Sequence, residues 1–141
     1  MLKSCKYCGR VHDSRQICPQ KQGATARKHS KKKGTDVDKF HASNRWKEKS
    51  LYIRERDHYM CLACFFNLDG KGRRITSGGL SVHHIVPIVE SWEQRTNDEN
   101  LITLCFEHHK QAEEGELDRK KLLEAVKIAA EGRLFSTRPP F

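Results

Sequence analysis

Asn100-Leu101-Ile102-Thr103-Leu104-Cys105-Phe106-Glu107-His108-His109-Lys110 sets a short apolar run between an Asn and a thiol, then places two imidazoles side by side. Leu101 to Leu104 reads as a short strand, and Phe106 to Glu113 as a short helix. Cys105 and His108 stand at i, i+3. They answer Cys61-Leu62-Ala63-Cys64, which lies about forty residues earlier. A Cys-x2-Cys turn offers both sulfurs to one ion, and a second pair at the same spacing completes the closed four-ligand set of a structural zinc. Buried free cysteines are the plainer alternative, but they leave the matched spacing unexplained. A zinc on Cys61, Cys64, Cys105 and His108 would tie the end of a preceding helix to the start of the helix after Cys105.

A second set interleaves with the first: His83, His84, Asn100 and His109. Residues 80–86 read as a strand that stops at Pro87. Adjacent strand residues point to opposite faces, so His83 and His84 differ in role unless the strand bends or ends there. His109 follows a zinc ligand, so the zinc would fix its direction.

Ser81-Val82-His83-His84-Ile85-Val86-Pro87, Asn100 to Cys105 and His108-His109-Lys110 together resemble the motif of zinc-supported HNH endonucleases, over roughly residues 61–110. The resemblance implies an α+β fold: a small ββα-metal core of two antiparallel strands and a helix around one divalent ion, with flanking helices and a structural zinc. It implies a DNA phosphodiester hydrolase in which His83 and His109 hold the catalytic ion, His84 is the general base, and Asn100 is the motif's Asn. A neutral amide at Asn100 suits orientation: it can hydrogen-bond across the strand-connecting loop and hold His84 in a productive tautomer. Many relatives carry Asp where His83 stands and Cys where His108 stands. His83 removes a negative charge, which disfavours Mg²⁺ and favours Mn²⁺, Ni²⁺ or Zn²⁺. With two adjacent histidines, the sequence leaves open which of His108 and His109 faces which metal.

The remainder of the chain bears on substrate and context. Of 141 residues, 27 are Lys or Arg and 18 Asp or Glu, a formal net charge of +9 that favours a polyanionic partner, DNA ahead of membrane. Lys47, Arg54, Arg56, Arg73, Arg74 and Lys110 are candidate phosphate contacts, which carry affinity without sequence information. With no separate element for reading bases, cleavage is expected to be weakly specific. A single active site predicts a nick, made by a monomer or weak dimer. No segment has the ~18 consecutive apolar residues of a membrane span, and residues 1–20 contain no signal-type apolar core, so the expectation is a reducing cytoplasm.

Residues 1–20 carry a second candidate zinc set, Cys5-x2-Cys8-x3-His12-x5-Cys18, close in spacing to a zinc knuckle. Residues 21–40 read as a disordered basic linker, residues 41–133 as the nuclease domain, and residues 134–141 as an irregular tail. Within the domain, Ser43 or Asn44 caps a helix to about Asp57, with Trp46, Leu51 and Ile53 or Arg54 straddling its inner face. Residues 67–79 form a loop. A last helix runs from Asp118 to Gly132, with Leu122, Ala125, Val126 and Ala129 on one face. Cys5-Lys6-Tyr7-Cys8-Gly9-Arg10-Val11-His12 resembles the start of small bacteriophage HNH proteins, and that resemblance implies the terminase large subunit and portal as partners in DNA packaging. A zinc-stabilised DNA-binding module without catalysis is the alternative; it leaves His83, His84, Asn100 and His109 without a purpose.

Overall fold

The structure, a computed structural model, describes residues 2–5, 9–13 and 34–135. It divides into two units, Met1–Gly34 and Thr35–Phe141.

In the first unit, β1 (Leu2–Ser4) pairs antiparallel with β2 (Val11–Asp13), Lys3 opposite His12. Beyond the ladder, Cys5 N donates to Arg10 O at 2.9 Å and Gly9 N to Cys5 O at 2.8 Å. Gly9 has φ +72°, a left-handed conformation that glycine adopts without strain. Cys8, Cys18 and the side chain of His12 lie outside the described residues, so the zinc-knuckle expectation falls there.

The second unit opens earlier than the sequence suggests. Helix α1 (Asp36–Ala42) starts inside the stretch expected to be linker, because Thr35 and Asp38 form a capping box. Thr35 Oγ1 accepts from Asp38 N at 3.2 Å, and Asp38 Oδ2 accepts from Thr35 N at 2.8 Å. Phe40 then anchors the helix, its ring 5.4 Å from that of Trp46. The rest of that stretch, residues 21–33, lies outside the described residues.

Ser43 closes α1 and caps α2 (Asn44–Arg56), its Oγ accepting from Trp46 N at 3.2 Å. The inner face of α2 is Trp46, Ser50 and Ile53, the i, i+4, i+7 stripe of a helix. Leu51, expected on that face, is half exposed. A short helix, α3 (Leu62–Phe65), follows and was not foreseen.

The ribbon is β3 (Ser81–His84) against β4 (Leu101–Leu104), antiparallel, with His83 opposite Ile102 and His84 opposite Leu101. Two 3₁₀ turns, Trp92–Thr96 and Asp98–Asn100, occupy the connection. Then come α4 (Phe106–Glu113) and α5 (Arg119–Ala130). Leu122, Ala125, Val126 and Ala129 of α5 are buried as expected, against Leu62, Phe66, Ile85, Ile102 and Leu104 among others. Leu134, assigned by sequence to the tail, is buried in the same core. No helix among the described residues is long and apolar enough to cross a membrane.

One ion pair locks α2 to the ribbon. Asp57 is fully buried; it accepts from Arg56 at 2.7 and 3.0 Å and from Thr103 N at 2.8 Å. Arg56 also donates to the carbonyls of Asp98 at 2.7 Å and Leu101 at 2.8 Å. A buried charge is tolerated only when paired and hydrogen-bonded, and this one satisfies both conditions. Arg56 is therefore a structural residue; its guanidinium is not available as the DNA contact that its charge suggested.

Candidate active site

The candidate zinc frame assembles at two helices. Cys61 caps α3, Cys64 lies within it, Cys105 precedes α4 and His108 sits in its first turn. All four side chains are buried, and their ligand atoms lie within 4.8 Å of one another. His108 Nδ1 is 3.4, 3.3 and 3.2 Å from the sulfurs of Cys61, Cys64 and Cys105, and the Cys64 and Cys105 sulfurs are 3.9 Å apart. A tetrahedral zinc with ordinary bond lengths needs N···S edges of about 3.6 Å and S···S edges of about 3.8 Å. The donor set fits zinc. Burial pushes the Cys61 and Cys64 thiols upward, so without an ion they hold their protons. Asp69 Oδ2 lies 3.1 Å from His108 Nε2, on the far side of the ring from the sulfurs. The neighbouring Arg74 guanidinium, at 2.8 Å, holds the Asp69 carboxyl far below the usual carboxylate range. A carboxylate behind a ligating histidine fixes its tautomer and orientation.

This frame turns His109 away from His108. His109 N donates to Cys105 O at 2.8 Å, which starts α4 directly on a candidate zinc ligand. The His109 ring meets that of His83 edge to face, 4.9 Å between centroids. Two imidazoles sharing one ion place each centroid about 3.2 Å from it, hence about 4.5–5.2 Å from each other for N–metal–N angles of about 90–110°. The observed separation fits, so His83 and His109 suit the second metal and His108 the zinc. Burial first, then the charges of His109, His84 and Arg119, bring His83 down to about 4, leaving a neutral ring with a lone pair to give. Glu113 Oε1 is 3.6 Å from His109 Nδ1, one helical turn on.

His84 faces the other way, as strand alternation requires, yet both histidines line one cleft of about 630 Å³ together with His41 and His109. The strand ends at His84, which lets the two sides converge. His84 stacks on Trp46, ring centroids 4.8 Å apart and planes 21° apart, with Phe40 and His41 around it. Its Nε2 is 3.0 Å from the Arg95 carbonyl oxygen. A carbonyl only accepts, so Nε2 carries the proton and Nδ1 keeps the lone pair. Burial lowers its pKa, partly opposed by that hydrogen bond.

Asn100 hydrogen-bonds across the strand-connecting loop, as expected, and reaches His84 only through that loop. It is buried, its Oδ1 accepts from Val86 N at 2.7 Å, and its Nδ2 donates to Val86 O at 3.0 Å and Gln94 O at 3.4 Å. It pins the loop that delivers the Arg95 carbonyl. His84 is thus oriented by Arg95 directly and by Asn100 through the loop. The Arg95 guanidinium stacks over Trp92 at 4.4 Å, holding the same turn.

The candidate phosphate contacts divide. Arg73 donates to Phe65 O at 2.9 Å, and Arg74 is bound to Asp69, so both support the zinc region. Arg54 is half-buried. Lys47 and Lys110 are exposed. Sequence reasoning missed the carbonyl of Arg95 and the carboxylate of Asp69. Neither follows a spacing rule, since Asp69 arrives on a turn and Arg95 on a 3₁₀ turn of the strand connection.

A strand pair and a helix that converge histidines on one cleft, beside a closed Cys/His frame, define the ββα-metal class of hydrolase. Residues 61–115 match the family model of the HNH endonuclease. The chain is similar to the deep-sea thermophilic bacteriophage GVE2 HNH endonuclease, whose crystal structure contains manganese ion, at 28% identity over 57% of this chain and 82% of that one, with a TM-score of 0.49. Comparison with curated proteins gives no match.

Proposed function

We propose that this chain is a metal-dependent DNA endonuclease of low sequence specificity that nicks one strand at a time. It would hold a structural zinc on Cys61, Cys64, Cys105 and His108 and one catalytic divalent ion on His83 and His109. The observation that carries the reading is the convergence of a neutral His83, an oriented His84 and His109 on one cleft. The ion would supply Lewis acidity at a phosphate oxygen. With its Nδ1 lone pair, His84 accepts a proton from the attacking water as the oxygen–phosphorus bond forms and the bond to the 3′ oxygen breaks. Nitrogen donors at His83 and His109 favour Mn²⁺, Ni²⁺ or Zn²⁺ over Mg²⁺. Lys47, Arg54 and Lys110 remain as phosphate contacts that carry no base information.

A single histidine-lined cleft among the described residues supports nicking by a monomer or weak dimer. The resemblance of Cys5 to His12 to phage HNH proteins supports a place in DNA packaging beside the terminase large subunit and portal, in a host cytoplasm. The organisation we infer is a zinc-knuckle-like segment, a basic linker and a nuclease domain that begins at the capping box of Thr35.

A time course on supercoiled plasmid tests the nicking reading. Open-circle DNA should accumulate well before linear DNA, and titration of Mn²⁺ by electron paramagnetic resonance should show a site lost in both His83→Ala and His109→Ala. Linear product appearing first, or Mn²⁺ binding indifferent to both histidines, would contradict it.

A further inference from the structure

Among the described residues lining the cleft, Arg119 is the one lysine or arginine. It begins α5, and its guanidinium is held in place by a residue of another element. Its Nη1 and Nη2 donate to Glu90 Oε2 and Oε1 at 3.0 and 2.9 Å, a forked contact. The backbone of Glu90 is held in the turn that follows the His83-His84 strand, its N donating to Pro87 O at 2.9 Å. The fork uses two of the five guanidinium N–H donors and leaves three, with their plane set. Both side chains are about half exposed, 53% and 49%, as a group that meets a large substrate must be. By contrast Arg56, Arg73 and Arg74 are committed to carbonyls and carboxylates of the fold.

We propose that Arg119 is a substrate-contacting residue that binds a non-bridging oxygen of the DNA phosphate in the cleft, and that Glu90 is the positioning residue that holds its guanidinium plane. The inference deepens the nuclease reading and rests on it. An arginine pre-aimed by a carboxylate presents two parallel donors to a phosphate, which a freely rotating lysine does not.

The test uses the full chain with its zinc and the divalent ion that best supports cleavage. The variants are Arg119→Ala, Arg119→Lys, Glu90→Gln and Glu90→Asp. Because the pair is exposed, all four should melt near the wild type. Arg119→Ala should lower kcat/KM on a labelled duplex by about 10²-fold, the scale of losing one preorganised donor. The slope of log binding constant against log salt should shrink by about 0.9, one phosphate contact. Arg119→Lys should keep the slope and lose most of the kcat. Glu90→Gln should keep the slope and lower kcat more than it changes KM, and Glu90→Asp should restore part of that loss. Wild-type kcat/KM and an unchanged slope in Arg119→Ala would overturn the proposal. Failure of the nuclease reading alone looks different: no wild-type cleavage with any ion, while the slope still falls in Arg119→Ala, which would keep the phosphate contact. No cleavage and no change of slope would remove both.

Discussion

His84 Nε2 donates to the carbonyl oxygen of Arg95 across 3.0 Å. This one bond decides which nitrogen of His84 is basic. Replacing His84 with Ala removes the Nδ1 base, and cleavage should fall by about 10²–10⁴-fold. Nitrogen-15 NMR of the wild type should show the Nε2–H tautomer. A dominant Nδ1–H form would contradict the orientation argued above.

Asn100→Asp should damage the protein more than its size suggests. The carboxylate could still accept from Val86 N, but it would face the carbonyl oxygens of Val86 and Gln94 where Nδ2 now donates. Leaving buried polar groups unsatisfied costs about 1–3 kcal/mol each. We expect a destabilised variant, measured by urea unfolding, and a loss of kcat because the loop carrying Arg95 loosens. Retention of wild-type stability and turnover would contradict this role for Asn100.

Zinc should be inseparable from folding. The Cys61, Cys64, Cys105 and His108 cluster joins α3 to α4 and helps to set the direction of His109. Structural zinc in small domains contributes about 10–16 kcal/mol of apparent binding energy, at least as much as the 5–15 kcal/mol by which such domains are ordinarily stable. A strong chelator, or Cys105→Ser, should abolish the cooperative melt followed by circular dichroism. His108→Cys should preserve it. An unchanged melt after verified zinc removal would show the frame to be dispensable.

Acid should destabilise the fold through His83. Its folded pKa is about 4 against an ordinary 6.5, so between these values the unfolded chain holds the extra proton. Stability therefore rises with pH across that window, is fully present above 6.5, and is lost as pH falls toward 4. His83→Gln should show a shallower fall than the wild type over that window in urea unfolding at matched zinc loading. Equal slopes would mean that His83 is not buried in its neutral form.

Much of this site was legible in the sequence because ligand spacing is local chemistry. Cys61-x2-Cys64 and Cys105-x2-His108 each offer two donors at one spacing, and the fold brings all four within 4.8 Å of one another. Strand alternation likewise separated His83 from His84, although the strand ends at His84 and not at the Pro87 expected to stop it. What escaped was set by tertiary contacts. The Thr35–Asp38 box and the anchor Phe40 make a helix of a stretch too polar to suggest one. Arg56 reads as a DNA contact until the buried Asp57 beside it claims the guanidinium. Asn100 bonds across the connecting loop as expected, but its direct partners are Val86 and Gln94 and not His84, because a buried amide goes to nearby unpaired backbone groups.

Metal-stripped protein, reloaded with zinc at its frame, should be offered supercoiled plasmid with Mg²⁺, Mn²⁺, Ni²⁺ or additional Zn²⁺, alongside His84→Ala. Open-circle DNA from the wild type with the nitrogen-preferring ions, and none from His84→Ala, is the result this account predicts. Intact plasmid with every ion, from protein shown to be folded and bound to DNA, would contradict it and leave a zinc-stabilised DNA-binding module.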